Sequence, residues 1–219
     1  MKTQFLKRAI VAASVAAFSV LASGCATTAN NAKDPYEGFN RAMFAVNEGI
    51  DVVVKPVAQG YDAAAPLPVK AGIGNFFGNI YDAWTAVNNF LQGKPGSGFS
   101  DVGRVLINTT VGIGGVFDVA SEMGLEKHAE DFGQTLGAWG VASGPYLYWP
   151  VIGPRNVRDT FGFVVDASAD PVGHIDDVRA RNVLTGVRFI DLRASLLPAD
   201  KVVEQAAFDK YNYIRDAYF

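Results

Sequence analysis

Chemistry in this chain can be sought in few places: one cysteine, two histidines and one dense glycine run. Cys25 closes the segment Leu21-Ala22-Ser23-Gly24-Cys25. Before it come a positive stretch carrying Lys2, Lys7 and Arg8 and an apolar stretch, Ala9 to Leu21, too short to span a bilayer comfortably. Small residues leading into a cysteine form the pattern of a bacterial lipobox, whose thiol is acylated and becomes the first residue of the mature chain. A plain secretory signal with a chance cysteine is the alternative. Leu21 lies one place further from the cysteine than the usual aliphatic, with Ala22 in its position. Residues 1–24 are therefore expected to be a lipoprotein signal peptide and Cys25 the lipidation site.

The remaining chemistry is sparse. His128 stands near Glu130 and Asp131, and His174 near Asp176 and Asp177, but neither set has a recognisable metal-ligand spacing. Gly112-Ile113-Gly114-Gly115 lacks both the dinucleotide fingerprint and the Lys-Ser/Thr of a phosphate loop, so close helix approach or a hinge is its expected role. Ser143-Gly144 has no glycine two residues before the serine and is no nucleophile elbow. No catalytic residue, metal or cofactor is expected, and the chain reads as something other than an enzyme. Tyr146, Tyr148 and Trp149 fit either a membrane–water interface, where amphipathic aromatics concentrate, or a buried aromatic corner.

Composition narrows the partners. Removing Lys2, Lys7 and Arg8 with the signal leaves 16 Lys and Arg against 22 Asp and Glu, about −6. No basic patch is available to release counterions from nucleic acid, and anionic headgroups are not attracted globally. Membrane contact must then be apolar. With one cysteine there is no internal disulfide, so packing alone holds the chain. From Phe132 to Pro154 no residue is charged, a length that suits a transmembrane helix, yet glycines and prolines break it repeatedly. Part-depth membrane contact or a lined cavity is one reading, an ordinary core with tight turns the other.

The elements that must position these residues are helical. Residues 25–33 are small and polar, a tether. Asp34, Pro35 and Glu37 have the order of an N-cap, a first-turn proline and a capping-box partner. Phe39, Met43, Val46, Ile50 and Val53 then recur at helical spacing, and Pro56 is expected to stop the run. Val69, Ile73, Phe76, Ile80, Trp84, Val87 and Leu91 make a second stripe, ended by a loop at Gly93-Lys94-Pro95-Gly96. Ser97 or Ser100 is the expected cap of a third helix through Leu106. Further helices are expected at Asp118–Met123, Asp131–Trp139 and Arg155–Ala167. Two more carry faces Val183-to-Leu197 and Val203-to-Tyr218. No alternation at period two is evident, so the class is mainly α, a single domain over 34–219.

Ordered segments resemble the VacJ/MlaA lipoproteins. They are Asp34-Pro35-Tyr36-Glu37-Gly38-Phe39-Asn40-Arg41, Asn89-Phe90-Leu91-Gln92-Gly93, Ile107 to Gly112, Gly114 to Ala120, Asp131 to Gly137, Gly144 to Pro150, Gly153-Pro154 and Arg158-Asp159. Tyr211 to Tyr218 resembles the family's closing segment. Val105 after Arg104, and Arg155 after Gly153-Pro154, depart from its pattern. The resemblance implies a ring-like helical bundle lodged in the periplasmic leaflet of the outer membrane. It further implies an amphipathic channel that removes misplaced phospholipids from the outer leaflet and passes them to a soluble periplasmic carrier, in association with a trimeric porin. For that channel the expected lining is Asn40, Asn108, Thr109 and Thr110, polar residues in apolar runs, with Gly112, Gly114 and Gly115 as an adjustable wall. Capping of buried helix ends is the structural alternative for these residues. A tethering lipoprotein that moves no lipid is the rival function.

Overall fold

The computed structural model describes residues 33–219. The signal, Cys25 and the tether up to residue 32 lie outside the described residues. Lys33 places its ammonium 5.3 Å from the centre of the Phe219 ring. The elements run α1 (Glu37–Ala64), α2 (Leu67–Leu91), α3 (Pro95–Thr110), α4 (Val119–Glu122), α5 (Phe132–Ala138), β1 (Tyr146–Trp149), β2 (Gly153–Asn156), α6 (Val157–Ala169), α7 (Val178–Ser195), α8 (Leu197–Ala206) and α9 (Lys210–Tyr218). The mainly helical class is as expected. α2 packs on α3, α7 and α5. α1 lies against α7 and the β1–β2 hairpin, and α9 packs on β2 and α8 with its Tyr211 beside Phe44 of α1.

Several boundaries differ from the sequence reading, each for a local reason. α1 begins at Glu37 with no side-chain cap. Asp34 is instead 1% exposed and accepts hydrogen bonds from Asn40 Nδ2 (2.8 Å) and the Tyr211 hydroxyl, so tertiary partners have taken the carboxylate that a cap would use. Pro56 does not stop α1, which continues to Ala64. A proline removes the bond to the carbonyl four residues back; that residue is Val52, 74% exposed, so the freed carbonyl lies on the outward side. α3 starts at Pro95, whose missing N–H costs nothing in a first turn, and Ser97 and Ser100 fall inside the helix. α6 starts at Val157 because the Asn156 side chain accepts from Asp159 N at 2.8 Å. The final apolar face is divided between α8 and α9. An antiparallel hairpin also forms, with Tyr146 opposite Asn156 and Trp149 opposite Gly153. Its burial alternates, but Leu147 and Trp149 are apolar too, so the sequence carries no polar alternation.

The helices are turned polar side in. On α2 the buried residues include Asn79, Asp82, Thr85, Asn88 and Asn89; on α3 they include Asp101, Arg104 and Asn108. Both sets recur at three- and four-residue spacing, the period of one helix face. None of the apolar stripe Val69–Leu91 is buried, and Val87 and Leu91 are exposed. Among the described residues the buried apolar clusters are small. One is Ala58, Ala194 and Leu197 under Tyr61; the other is Tyr146, Tyr148 and Tyr211 with Met43, Phe44 and Ile214.

Polar burial is stable only when partnered. Arg104 is 1% exposed. Its guanidinium donates to both Asp118 oxygens (3.0 Å), to Ser121 Oγ (2.9 Å), to the Leu125 carbonyl (2.7 Å) and, more weakly, to Asp82 (3.4 Å). Lys127 adds a 2.7 Å contact to Asp82. Asn89 donates to Asp101 (2.9 Å), and Thr135 Oγ1 joins α5 to α2 through Asn88 Oδ1 (2.7 Å). The network is dense but incomplete, since Asn79 Oδ1 and Asn89 Oδ1 are buried without a hydrogen-bond partner; its cross-helix bonds fix register between helices whose outer faces are apolar.

Candidate functional site

α1 presents Phe44, Asn47, Glu48 and Asp51 at helical spacing to a cleft of 340 Å³. The hairpin contributes Tyr148 and Ile152, α7 contributes Phe189 and Arg193, and α8 and α9 close it with Asp200, Val203 and Ile214. A second lobe of 250 Å³ shares the Phe44, Asp51 and Asp200 wall and adds Lys55, Glu204 and Lys210. The cleft is therefore amphipathic: aromatic and aliphatic walls with charges grouped along one edge.

Arg193 organises that edge. Its Nε and Nη2 donate to the two oxygens of Asp51, both at 2.7 Å, and Nη2 also reaches Asp200 at 2.6 Å. Lys55 continues the series with Asp200 (3.1 Å) and Glu204 (2.8 Å). The Arg193 hydrogen bond holds the Asp51 carboxyl below the usual carboxylate range, and the bond to Glu204 raises Lys55. Both partners of each pair are thus charged near neutral pH. Arg193 Nη1 is buried and has no hydrogen-bond partner. At the cleft mouth Val151, a β-branched residue, has φ +70°, a strained conformation held by Val151 N donating to Asn47 Oδ1 at 2.9 Å.

Of the residues singled out from sequence, Asn40 is fully buried and pins α1 to the hairpin. It donates to the Tyr146 carbonyl at 3.1 Å and accepts from Tyr148 N at 2.9 Å. Tyr146 and Tyr148 are buried beside Tyr211, the aromatic-corner arrangement; Tyr148 lines the cleft, and half-buried Trp149 donates to Thr160 at 3.0 Å. Asn108, Thr109, Thr110, Gly112, Gly114 and Gly115 lie together at the α3–α4 corner and do not line this cleft. Asn108 accepts from Ala120 N and donates to Asp118, both at 2.9 Å; Thr109 Oγ1 accepts from Asn79 at 2.9 Å; Thr110 Oγ1 donates to the Leu106 carbonyl at 2.7 Å.

The glycine run is bound to its own chain. Gly114 N donates to the Thr109 carbonyl and Gly115 N to the Asn108 carbonyl, so these amides are not presented to a phosphate. His128 Nδ1 lies 3.2 Å from Asp101 and His174 Nδ1 lies 3.0 Å from the Asp170 carbonyl. Among the described residues no three His, Cys, Asp or Glu side chains converge as a metal site. The uncharged segment 132–154 folds as α5 and the hairpin, and no described helix is long and apolar enough to cross a membrane.

Sequence reasoning missed Asp51, Arg193 and Asp200. Asp51 and Arg193 are 142 positions apart, so no local spacing announced the pair. Arg193 and Asp200 stand among other charged residues of α7 and α8, such as Arg188, Asp191, Lys201 and Glu204, so their own spacing gave no signal either.

The comparisons follow the same architecture. The family model for the MlaA lipoprotein matches residues 32–219. The intermembrane phospholipid transport system lipoprotein MlaA of Escherichia coli K12 is 34% identical over 209 residues, covering 92% of this chain and 82% of that protein. An uncharacterized Rickettsia typhi protein is 39% identical over 186 residues, 84% of this chain and 74% of its own length. A solved structure from work on the structural basis for maintenance of bacterial outer membrane lipid asymmetry superposes with a TM-score of 0.72 at 34% identity, covering 85% of this chain and 95% of that one. With polar faces buried, apolar faces outward and the whole described length matched, this chain belongs to the MlaA lipoprotein family.

Proposed function

We propose that this chain is an outer-membrane lipoprotein, anchored through Cys25 on the periplasmic side. It takes phospholipids misplaced in the outer leaflet through an amphipathic cleft to a soluble periplasmic carrier, and so maintains lipid asymmetry. The observation that carries the reading is the inverted helix pattern. Residues such as Phe99 (70% exposed), Leu106 (60%) and Phe161 (67%) face outward while asparagines and aspartates face inward. In water that arrangement leaves large apolar patches bare; in a leaflet it buries them, and interrupted helices keep irregular backbone away from the acyl region. The cleft offers an acyl chain apolar walls and a headgroup its charged edge. A trimeric porin is the expected membrane partner.

The test is photocrosslinking in cells from a probe at Val203, inside the cleft, together with surface phospholipid in a strain lacking the protein. Lipid adducts at Val203 and raised outer-leaflet phospholipid support transport. Clean protein at Val203 with normal surface lipid would instead favour the tethering role.

A further inference from the structure

We propose, resting on the transport reading above, that the cleft selects zwitterionic phosphodiester headgroups, ethanolamine or choline in type, over anionic ones. The phosphate is received by Arg193 Nη1 and the ammonium by Glu48. Three observations carry this. First, the two lobes are lined by four carboxylates (Glu48, Asp51, Asp200 and Glu204) and three cations (Lys55, Arg193 and Lys210), a net charge of −1 when all are ionised. A net-anionic headgroup adds charge of the same sign to this edge, whereas a zwitterion does not.

Second, the ion pairs along this edge leave Arg193 with a buried donor unused, while Glu48 and Lys210 share only a long contact. Arg193 spends Nε and Nη2 on Asp51 and Asp200, while Nη1 stays buried without a partner. A buried unpartnered donor is costly and is satisfied by an incoming phosphate oxygen. Both Asp51 oxygens are taken, but Glu48 has only a long contact, 3.6 Å, to Lys210 and is 44% exposed. Of the four carboxylates it is the one without a cation closer than 3.6 Å.

Third, the two groups are correctly disposed. Glu48 and Asp51 are i and i+3 on α1, so their side chains leave the helix about 5–6 Å apart, and Arg193 is bound to Asp51. A single headgroup can therefore span Arg193 and Glu48. Phe44, Phe189, Val203 and Ile214 are left for its hydrocarbon.

The acylated full chain in detergent, offered an equimolar mixture of diacyl phosphatidylethanolamine, phosphatidylcholine and phosphatidylglycerol, tests this by native mass spectrometry of bound lipid. The zwitterionic lipids are expected at tenfold or more over phosphatidylglycerol, and Glu48→Gln is expected to bring the ratio near one. An excess of glycerophosphoethanolamine, the headgroup without tails, is expected to leave the bound lipid in place. Equal occupancy by all three lipids, or a ratio unmoved in Glu48→Gln, overturns the headgroup assignment and leaves transport standing. Displacement by the tail-less diester overturns a lipid as the source of the phosphodiester. No lipid of any class bound to the folded wild type overturns the transport reading itself.

Discussion

Arg104, the largest fully buried side chain among the described residues, joins four partners. It reaches Asp82 and Asp118 at once, and truncating it leaves two acidic side chains facing each other with no cation of their own except Lys127. Breaking a buried pair from one side costs about 3–5 kcal/mol, so Arg104→Ala is expected to lower unfolding free energy by that amount in a denaturant titration. The same network sets an acid limit. Burial alone would push the Asp118 carboxyl up, but hydrogen bonds from Ser121, Asn108 and Arg104 outweigh it and hold the group well below the usual carboxylate range. A carboxyl with a depressed native pKa contributes stability that is fully present above its unfolded value, near 4, and is lost as pH falls through the native value. The denaturation midpoint of the wild type is therefore expected to fall on acidification below about pH 4. Asp118→Asn starts from a lower midpoint and shows a shallower acid limb.

At the scale of elements, two glycines of one loop separate close approach from backbone conformation. A Cβ on Gly112 would lie 2.2 Å from the Phe117 carbonyl oxygen and 2.5 Å from that of Asn108; one on Gly114 meets nothing within 4 Å, though φ there is +69°. Gly114→Ala is expected to cost about 1–2 kcal/mol of left-handed strain, and Gly112→Ala clearly more, measured by thermal unfolding of both. Packing of α5 on α6 is equally backbone-tight, since a Cβ on Gly162 would sit 2.3 Å from Gly133 N. The outward face of α3 makes the opposite demand. Phe99 is 70% exposed and packs edge-to-face on Phe90, at 5.1 Å between ring centres, so Phe99→Asp should cost only about 0.5–1.5 kcal/mol of stability in detergent. Flotation with phospholipid vesicles is expected to fall tenfold or more, since a charge in the acyl region costs about 2.5–3.5 kcal/mol at its centre. Unchanged flotation would place this face outside the leaflet.

In the proposed function two membrane signals act on the whole molecule, an acyl anchor at Cys25 and the apolar exterior. One acyl chain alone gives only marginal residence, and several chains with apolar insertion give stable residence. Cys25→Ala is expected to remain uncleaved at the junction or to leave the outer-membrane fraction, read by fractionation and by the mass of the N-terminal peptide. Processing and retention at normal levels would remove the acylation site from Cys25.

The sequence by itself determined the periods, and hence the helices: the stripe from Val69 to Leu91 needs only backbone geometry and side-chain spacing to be read. It also determined the family, because motifs such as Asp34 to Arg41 are short and contiguous. Burial sense was not legible. Val87 and Asn88 are neighbours on one helix, and periodicity says that they face apart without saying which faces in. In a soluble protein the apolar side would be buried; here the polar side is, held by the pairs Arg104–Asp118 and Asn89–Asp101 between the elements. The cleft belongs to tertiary structure for the same reason. Asp51, Arg193 and Asp200 gain meaning only when α1, α7 and α8 bring charges far apart in the chain within hydrogen-bonding distance. A pairing made by chain closure has no local spacing to announce it, whereas a helix face does.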